Sequence, residues 1–197
     1  MIGKLLILGC CCAAQAQSSL WNGRNLPNQT ETQPARLTRT QLASVRAVLV
    51  AWNDKLYNPL CDDKKDTSWL NELHFSWLPL GPAPVTLVEA GQGCGLRGGQ
   101  GANGDMWLIA WDGSHPRLIA SPTTDFEGFL DAIKVSSSHG FHDVTLGWHR
   151  GGGETGMIYF RFDGRSYRPV STATLIDDFS SPNNQRITDI KPYAPKR

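Results

Sequence analysis

The densest run of side chains able to hold a metal or move a proton is "HGFHDVTLGWH", His139 to His149. Imidazole nitrogens and carboxylates ligate zinc and serve as general acids and bases. Their spacing works against convergence. With Val144 opening a strand, His142, Val144, Leu146 and Trp148 share one face, and Asp143, Thr145, Gly147 and His149 share the other. Asp143 and His149 then lie roughly 20 Å apart along an extended strand. Loop curvature could still bring His139 to His142. These two are the metal candidates, against the plainer reading of surface or turn histidines.

Cys94, in "GQGCG", is a candidate thiolate nucleophile, which would need a neighbouring base. The run echoes the approach to the nucleophile in papain-like proteases, but Arg97 stands where the reactive cysteine of that pattern belongs. The surrounding glycines invite an anion-cradle reading. They lack the G-K-[ST] of a P-loop and have no clear helix after them, so a long connection between strands is the simpler interpretation. A third set, Tyr159, Arg161, Tyr167 and Arg168, flanks Asp163-Gly164. An Arg–aromatic surface suits recognition of carbohydrate, peptide or a protein partner. Ordinary cross-strand stacking is the competing explanation.

These residues sit on a recurring pattern. "VTLVEAG", a glycine-rich run, "DMWLIAW", Asp112-Gly113 and "RLIA" are followed by "DVTLGWH", "RGGGETG", "MIYFRF", Asp163-Gly164 and "RSYRPV". Asp-Gly favours two-residue hairpin turns, which require positive φ. Matching the two Asp-Gly pairs aligns Trp107 with Ile158. It puts Trp107, Ile109 and Trp111 on one face and Ile158, Phe160 and Phe162 on the equivalent face. Between the units, "DFEGFLDAIKV" fits a short helix or a bulged strand. Upstream, "TRTQLASVRAVLVAW" predicts an amphipathic helix: Thr38 and Gln41 resemble a capping box, and Leu42, Val45, Val48, Leu49 and Trp52 recur at helical spacing. "WLNELHFSWLPL" fits either a short helix or a strand.

The N-terminus orders a positive charge, the apolar run "LLILGCCCAA" and the small-x-small "AQA", the anatomy of a secretory signal cleaved after Ala16. The apolar run is too short to span a bilayer. "ILGC" has lipobox character at Cys10, but the apolar stretch before it is short, which favours free export over a lipid anchor. Removal of the signal leaves Cys61 and Cys94, most simply one disulfide in an oxidising compartment. With 19 basic and 18 acidic residues in 197, the charge balance argues against nucleic-acid binding, and 40% hydrophobic residues exclude wholesale disorder.

"GFHDVTLGWH…IYFRFDGRSYR" resembles a pattern in uncharacterised exported bacterial proteins, where a "D-hydrophobic" strand precedes a "YRFDG-x-x-Y" hairpin. It is more distantly similar to the FG-GAP/VCBS-type repeats of β-propellers. The likeness covers about residues 75–170. Those repeats hold calcium through an Asp-rich loop; the corresponding "LPLGPAPV" has no carboxylate, so no calcium site is implied.

The expected organisation is a signal peptide at 1–16, a flexible leader at 17–37 and one domain at 38–178, with related units near 84–120 and 143–171. A polar tail at 179–197 completes it. The expected fold class is α+β, mostly β: an antiparallel sheet from two related strand–Gly loop–hairpin units packed by one N-terminal helix. The expected function is an exported, periplasmic or extracellular, non-catalytic binding module without a cofactor or transmembrane segment. Its ligand would be a protein, peptide or glycan. A small exported hydrolase using Cys94 or a His-held metal is the alternative, and a structural envelope protein a third.

Overall fold

A computed structural model describes residues 19–26, 32–56, 60–61, 63, 65–91, 103–177 and 185–195. The signal segment, Cys10, Cys94 and most of the first glycine-rich run lie outside them. Among the described residues, no helix is long and apolar enough to cross a membrane.

The chain is mostly β. In order come β1 (Gln33–Pro34), α1 (Arg39–Asn53), a 3-10 turn (Ser68–Glu72), β2 (Leu73–Leu78), β3 (Val85–Ala90), β4 (Gly104–Asp112) and β5 (His115–Ala120). A second 3-10 turn (Pro122–Thr124) leads to β6 (Glu127–Ser138), β7 (Phe141–Gly151), β8 (Glu154–Phe162), β9 (Tyr167–Asp177) and β10 (Gln185–Pro192). They form one antiparallel sheet ordered β1-β2-β3-β4-β6-β7-β8-β9-β10, with β5 beside β4. Two meanders, β2–β5 and β6–β10, join where Gly104 and Asp105 pair with Gly128 and Glu127.

α1 forms as its pattern predicts. The Thr38 side chain accepts from the Gln41 amide while Gln41 Oε1 accepts from the Thr38 amide at 3.0 Å, satisfying two donors the helix cannot. Val45 and Leu49 bury their whole side chains, each stabilising by about 1.5–3 kcal/mol. They pack with Trp69, Val88, Trp107 and Ile109 on the outer face of the first meander. The inner faces of the two meanders meet in one shared core: Val85, Leu87, Met106 and Leu108 with Val144, Leu146, Ile158 and Phe160.

Both ambiguous stretches carry strands. "WLNELHFSWLPL" divides into the 3-10 turn and β2, and "DFEGFLDAIKV" is mostly the bulged strand β6, with register shifts after Leu130 and Ile133. The flexible-leader expectation is corrected. Trp21 is 3% exposed against Tyr159, Met157 and Ala173, and the backbone at 24–26 bonds to β6 through the Leu26 amide to Ile133 and the Val135 amide to Arg24. The polar tail is corrected too, because β10 pairs along β9.

The Asp-Gly alignment is off by one residue. Val85↔Ala110 and Thr86↔Ile109 in the first meander correspond to Val144↔Phe160 and Thr145↔Tyr159 in the second. Leu108, not Trp107, is therefore the counterpart of Ile158. Trp107 and Ile109 point outward to the helix, whereas Ile158 and Phe160 point into the shared core. The cause lies in the turns. Asp112 is still paired with His115, leaving Gly113 (φ 58°) and Ser114 as a two-residue loop. Asp163 opens a four-residue loop between Phe162 and Tyr167, held by its Oδ1 accepting from the Arg165 and Ser166 amides at 2.8 Å each.

Candidate functional site

The hairpin set is split by strand alternation. Tyr159 faces outward and is buried beneath Trp21, whereas Tyr167 is fully buried in the shared core, donating to the His142 carbonyl at 2.6 Å. Arg161 and Arg168 keep side chains 41% and 56% exposed. No open Arg–aromatic face results, because both rings are internal.

Tyr159 and Arg161 instead meet Asp143, which has no exposure at all. Asp143 Oδ2 accepts from Ser136 Oγ and Tyr159 OH at 2.9 Å each, with Arg161 at 3.5 Å. Burial, chiefly, pushes the Tyr159 phenol up to about 12. Next to this cluster Lys134 donates to Asn25 at 2.8 Å, and burial lowers its pKa. The network lies under the N-terminal segment and ties that segment to the sheet.

The histidines go to separate tasks. His139 takes φ 51° in the β6–β7 turn, with Nδ1 3.2 Å from the Phe162 carbonyl. His142 pairs with Ser137 in the β6–β7 ladder, and His149 stacks on Phe129 at 5.0 Å. Among the described residues no group of three His, Cys, Asp or Glu is placed to hold a metal. Cys61 is buried against the helix side and is not a free thiol; its expected partner, Cys94, lies outside the described residues.

Among the described residues, a site with room for a ligand is assembled from elsewhere. At one end of the shared core a cleft of about 610 Å³ opens between the inner face of β7–β9, the corner entering β6 and the residues after β10. That volume falls in the range of small-molecule sites. Trp148 and Arg150 come from β7. The Trp148 ring occupies the space a side chain at Gly156 would take, since a Cβ there would sit 2.2 Å from Cε2 and Cζ2. The Arg150 guanidinium lies over that ring, 5.1 Å from its centre, a cation–π contact that fixes its direction. Asp125 and Glu127 line the same cleft. Asp125 ends the second 3-10 turn in the left-handed region, φ 57°, a conformation uncommon for a residue other than glycine and concentrated at functional sites. Tyr193 reaches over from the C-terminal side, its hydroxyl donating to Asp125 Oδ2. Burial and the two carboxylates push its phenol up to about 12.

The cleft is thus lined by a guanidinium seated on an aromatic ring and by two carboxylates. Sequence reading missed the site because Asn103, Asp125, Glu127, Trp148, Arg150 and Tyr193 share no motif and span 90 positions. The available signal was Tyr193 and the glycine at 156, both of which read as tail and loop. No protein-family model, characterised protein or solved structure matches this chain.

Proposed function

We propose that the protein is an exported, non-catalytic binding module, stapled through Cys61 and Cys94. Its ligand carries an anionic and a cationic group and enters the 610 Å³ cleft. The observation that carries this reading is that Arg150, seated over Trp148, lines one cleft with Asp125 and Glu127. An anionic group accepts charge-assisted hydrogen bonds from the guanidinium, and an ammonium donates to the carboxylates. A glycan is the weaker fit. Sugars stack on an open ring face, whereas Arg150 lies over the Trp148 ring and the Tyr193 hydroxyl is tied to Asp125.

The test is calorimetric titration of the mature protein with lysyl-glutamate, blocked at both ends by acetyl and amide. Blocked alanyl-alanine serves as the uncharged control. Binding of the charged dipeptide at least tenfold tighter than the control is expected, with a further tenfold loss in either Arg150→Ala or Glu127→Gln. That factor is the size of one charge-assisted hydrogen bond, about 1.5–3 kcal/mol. Equal affinity for both dipeptides, or indifference to both substitutions, would remove the reading.

A further inference from the structure

Strand β6 is paired along one edge with β7, and among the described residues only Glu127 and Gly128, at its start, pair the opposite edge with β4. An open edge presents unpaired amide and carbonyl groups to any neighbouring chain. Farther along this one, the protein adds its own N-terminal segment as a short strand. The Leu26 amide donates to the Ile133 carbonyl and the Val135 amide to the Arg24 carbonyl, each at 2.8 Å. Asn25 thereby lies opposite Lys134 in an antiparallel bridge, and Lys134 Nζ also donates to Asn25 Oδ1 at 2.8 Å. An anchor stands on each side of this ladder. Trp21 is buried on the outer face against Met157, Tyr159 and Ala173, its indole N–H donating to Ser171 Oγ at 3.0 Å. Leu26 packs against the shared core. The segment thus clasps the β6 edge between an outer and an inner anchor.

Strand addition is a recurring way for one chain to recognise an extended segment of another: main-chain bonds supply affinity and side-chain pockets supply selectivity. Here both are present, and every one of these contacts is made by residues 21–26. None of them depends on whether "PNQTET", residues 27–32, joins that segment to the same body or to a neighbouring one. We propose that the β6 edge and the Trp21 pocket form an interface between copies of this chain, residues 19–26 of one copy adding to β6 of another. A second copy is the partner the geometry fits, because each copy carries both the segment and the groove complementary to it. Reciprocal exchange between two copies closes a two-fold dimer and leaves no segment or edge unpaired. The exchanged form repeats the contacts of the single chain, so it competes with an effective concentration of about 1 mM, the usual scale for a short link. The interface is independent of the 610 Å³ cleft and of its ligand.

The probe is a fluorescein-labelled octapeptide amide, "SLWNGRNL", which is residues 19–26, titrated by anisotropy. The acceptor is the mature protein carrying Trp21→Ala, whose own segment has lost its outer anchor. The peptide should bind this variant at least about tenfold tighter than wild type, where the groove is filled in cis. It should lose at least about tenfold when its tryptophan is replaced by alanine, the least expected of a buried aromatic anchor. Should Trp21→Ala fail to fold, wild type cut after folding at a protease site placed within residues 27–31 takes its place. The freed segment should then stay bound through gel filtration and be displaced by the labelled peptide. Sedimentation tests the second copy. About half of the wild-type chains should be dimeric at about 1 mM, whereas the acceptor saturated with unlabelled peptide should stay monomeric at that concentration. A peptide that binds neither acceptor overturns the strand-addition site. A wild type that is monomeric at about 1 mM, or that associates no more than the peptide-saturated acceptor, overturns exchange between copies and leaves the segment serving its own chain alone.

Discussion

Trp21 offers the sharpest test of how the second meander is covered. A polar leader predicts that replacing it changes stability by less than about 0.5 kcal/mol, as for any exposed position. The structure predicts otherwise. Trp21 is 3% exposed, its ring meets Tyr159 edge-on at 5.7 Å, and its indole N–H donates to Ser171 Oγ at 3.0 Å. Trp21→Ala should therefore cost about 3–5 kcal/mol, the usual range for a large aromatic removed from a core. For a domain of this size each kcal/mol moves Tm by about 2–4 °C, so a fall of about 6–20 °C is expected. Trp21→Phe keeps most of the apolar area and loses the hydrogen bond. Ser171 still donates to the Lys191 carbonyl at 2.9 Å, so no group is stranded and the cost should stay near 1–2 kcal/mol. Thermal unfolding of the mature protein and both variants, by circular dichroism, gives the answer. A Trp21→Ala protein melting within about 2 °C of wild type would refute the docked segment.

Gly128, at φ 112°, has the Gly147 carbonyl oxygen 2.1 Å from where a Cβ would lie. Backbone cannot yield there, so Gly128→Ala should cost at least about 3 kcal/mol, while Gly113→Ala, with open space around it and only positive φ to bear, should cost about 1–2 kcal/mol; equal melting temperatures would contradict this order. Asp143→Ala should cost about 1–3 kcal/mol and Tyr159→Phe about 1 kcal/mol, with a coupling above about 0.5 kcal/mol in the double-mutant cycle; additive losses would mean the two side chains are not bonded. The Ser166 and Arg165 amides and the Arg168 guanidinium hold the Asp163 carboxyl down at about 2. Its stabilisation is present above the ordinary carboxylate range and lost as pH falls through 2, so Asp163→Asn should flatten the acid limb by about 1 kcal/mol, discounted for solvent exposure. A carboxyl carbon titrating near 4 by NMR would remove that prediction.

What could be read from the sequence was whatever local chemistry determines. α1 follows from an apolar stripe plus a capping pair, both within fifteen residues. The "VTL" strands β3 and β7 keep their facing, with Val and Leu inward and Thr buried on the other side, because period-two alternation needs only three residues. Turn register was not legible. Asp-Gly fits a two-residue loop in which Asp ends the strand and also a wider loop in which Asp caps the turn with its own side chain. Choosing wrongly shifted the alignment by one residue, which in a strand exchanges the two faces. Trp21 was missed for a different reason: a single aromatic in a polar stretch has no period, and its burial depends on Ser171 and Tyr159, some 140–150 positions away.

The cleft has a topological origin that no local pattern expresses. β4 gives one edge to β3 and divides the other, its start to β6 and its end to β5. The sheet must therefore part at the joint between the meanders, and the residues at that joint, Gly128 and Glu127 with neighbouring Asn103 and Asp125, are the ones that line the opening. On the facing strands the inner position at 156 is glycine, so Trp148 lies over it and Arg150 lies over Trp148. A Cβ at 156 would lie 2.2 Å from the Trp148 ring, so the glycine is what lets that ring lie there. A left-handed Asp125 held against Tyr193 adds polar groups to the same cleft lining.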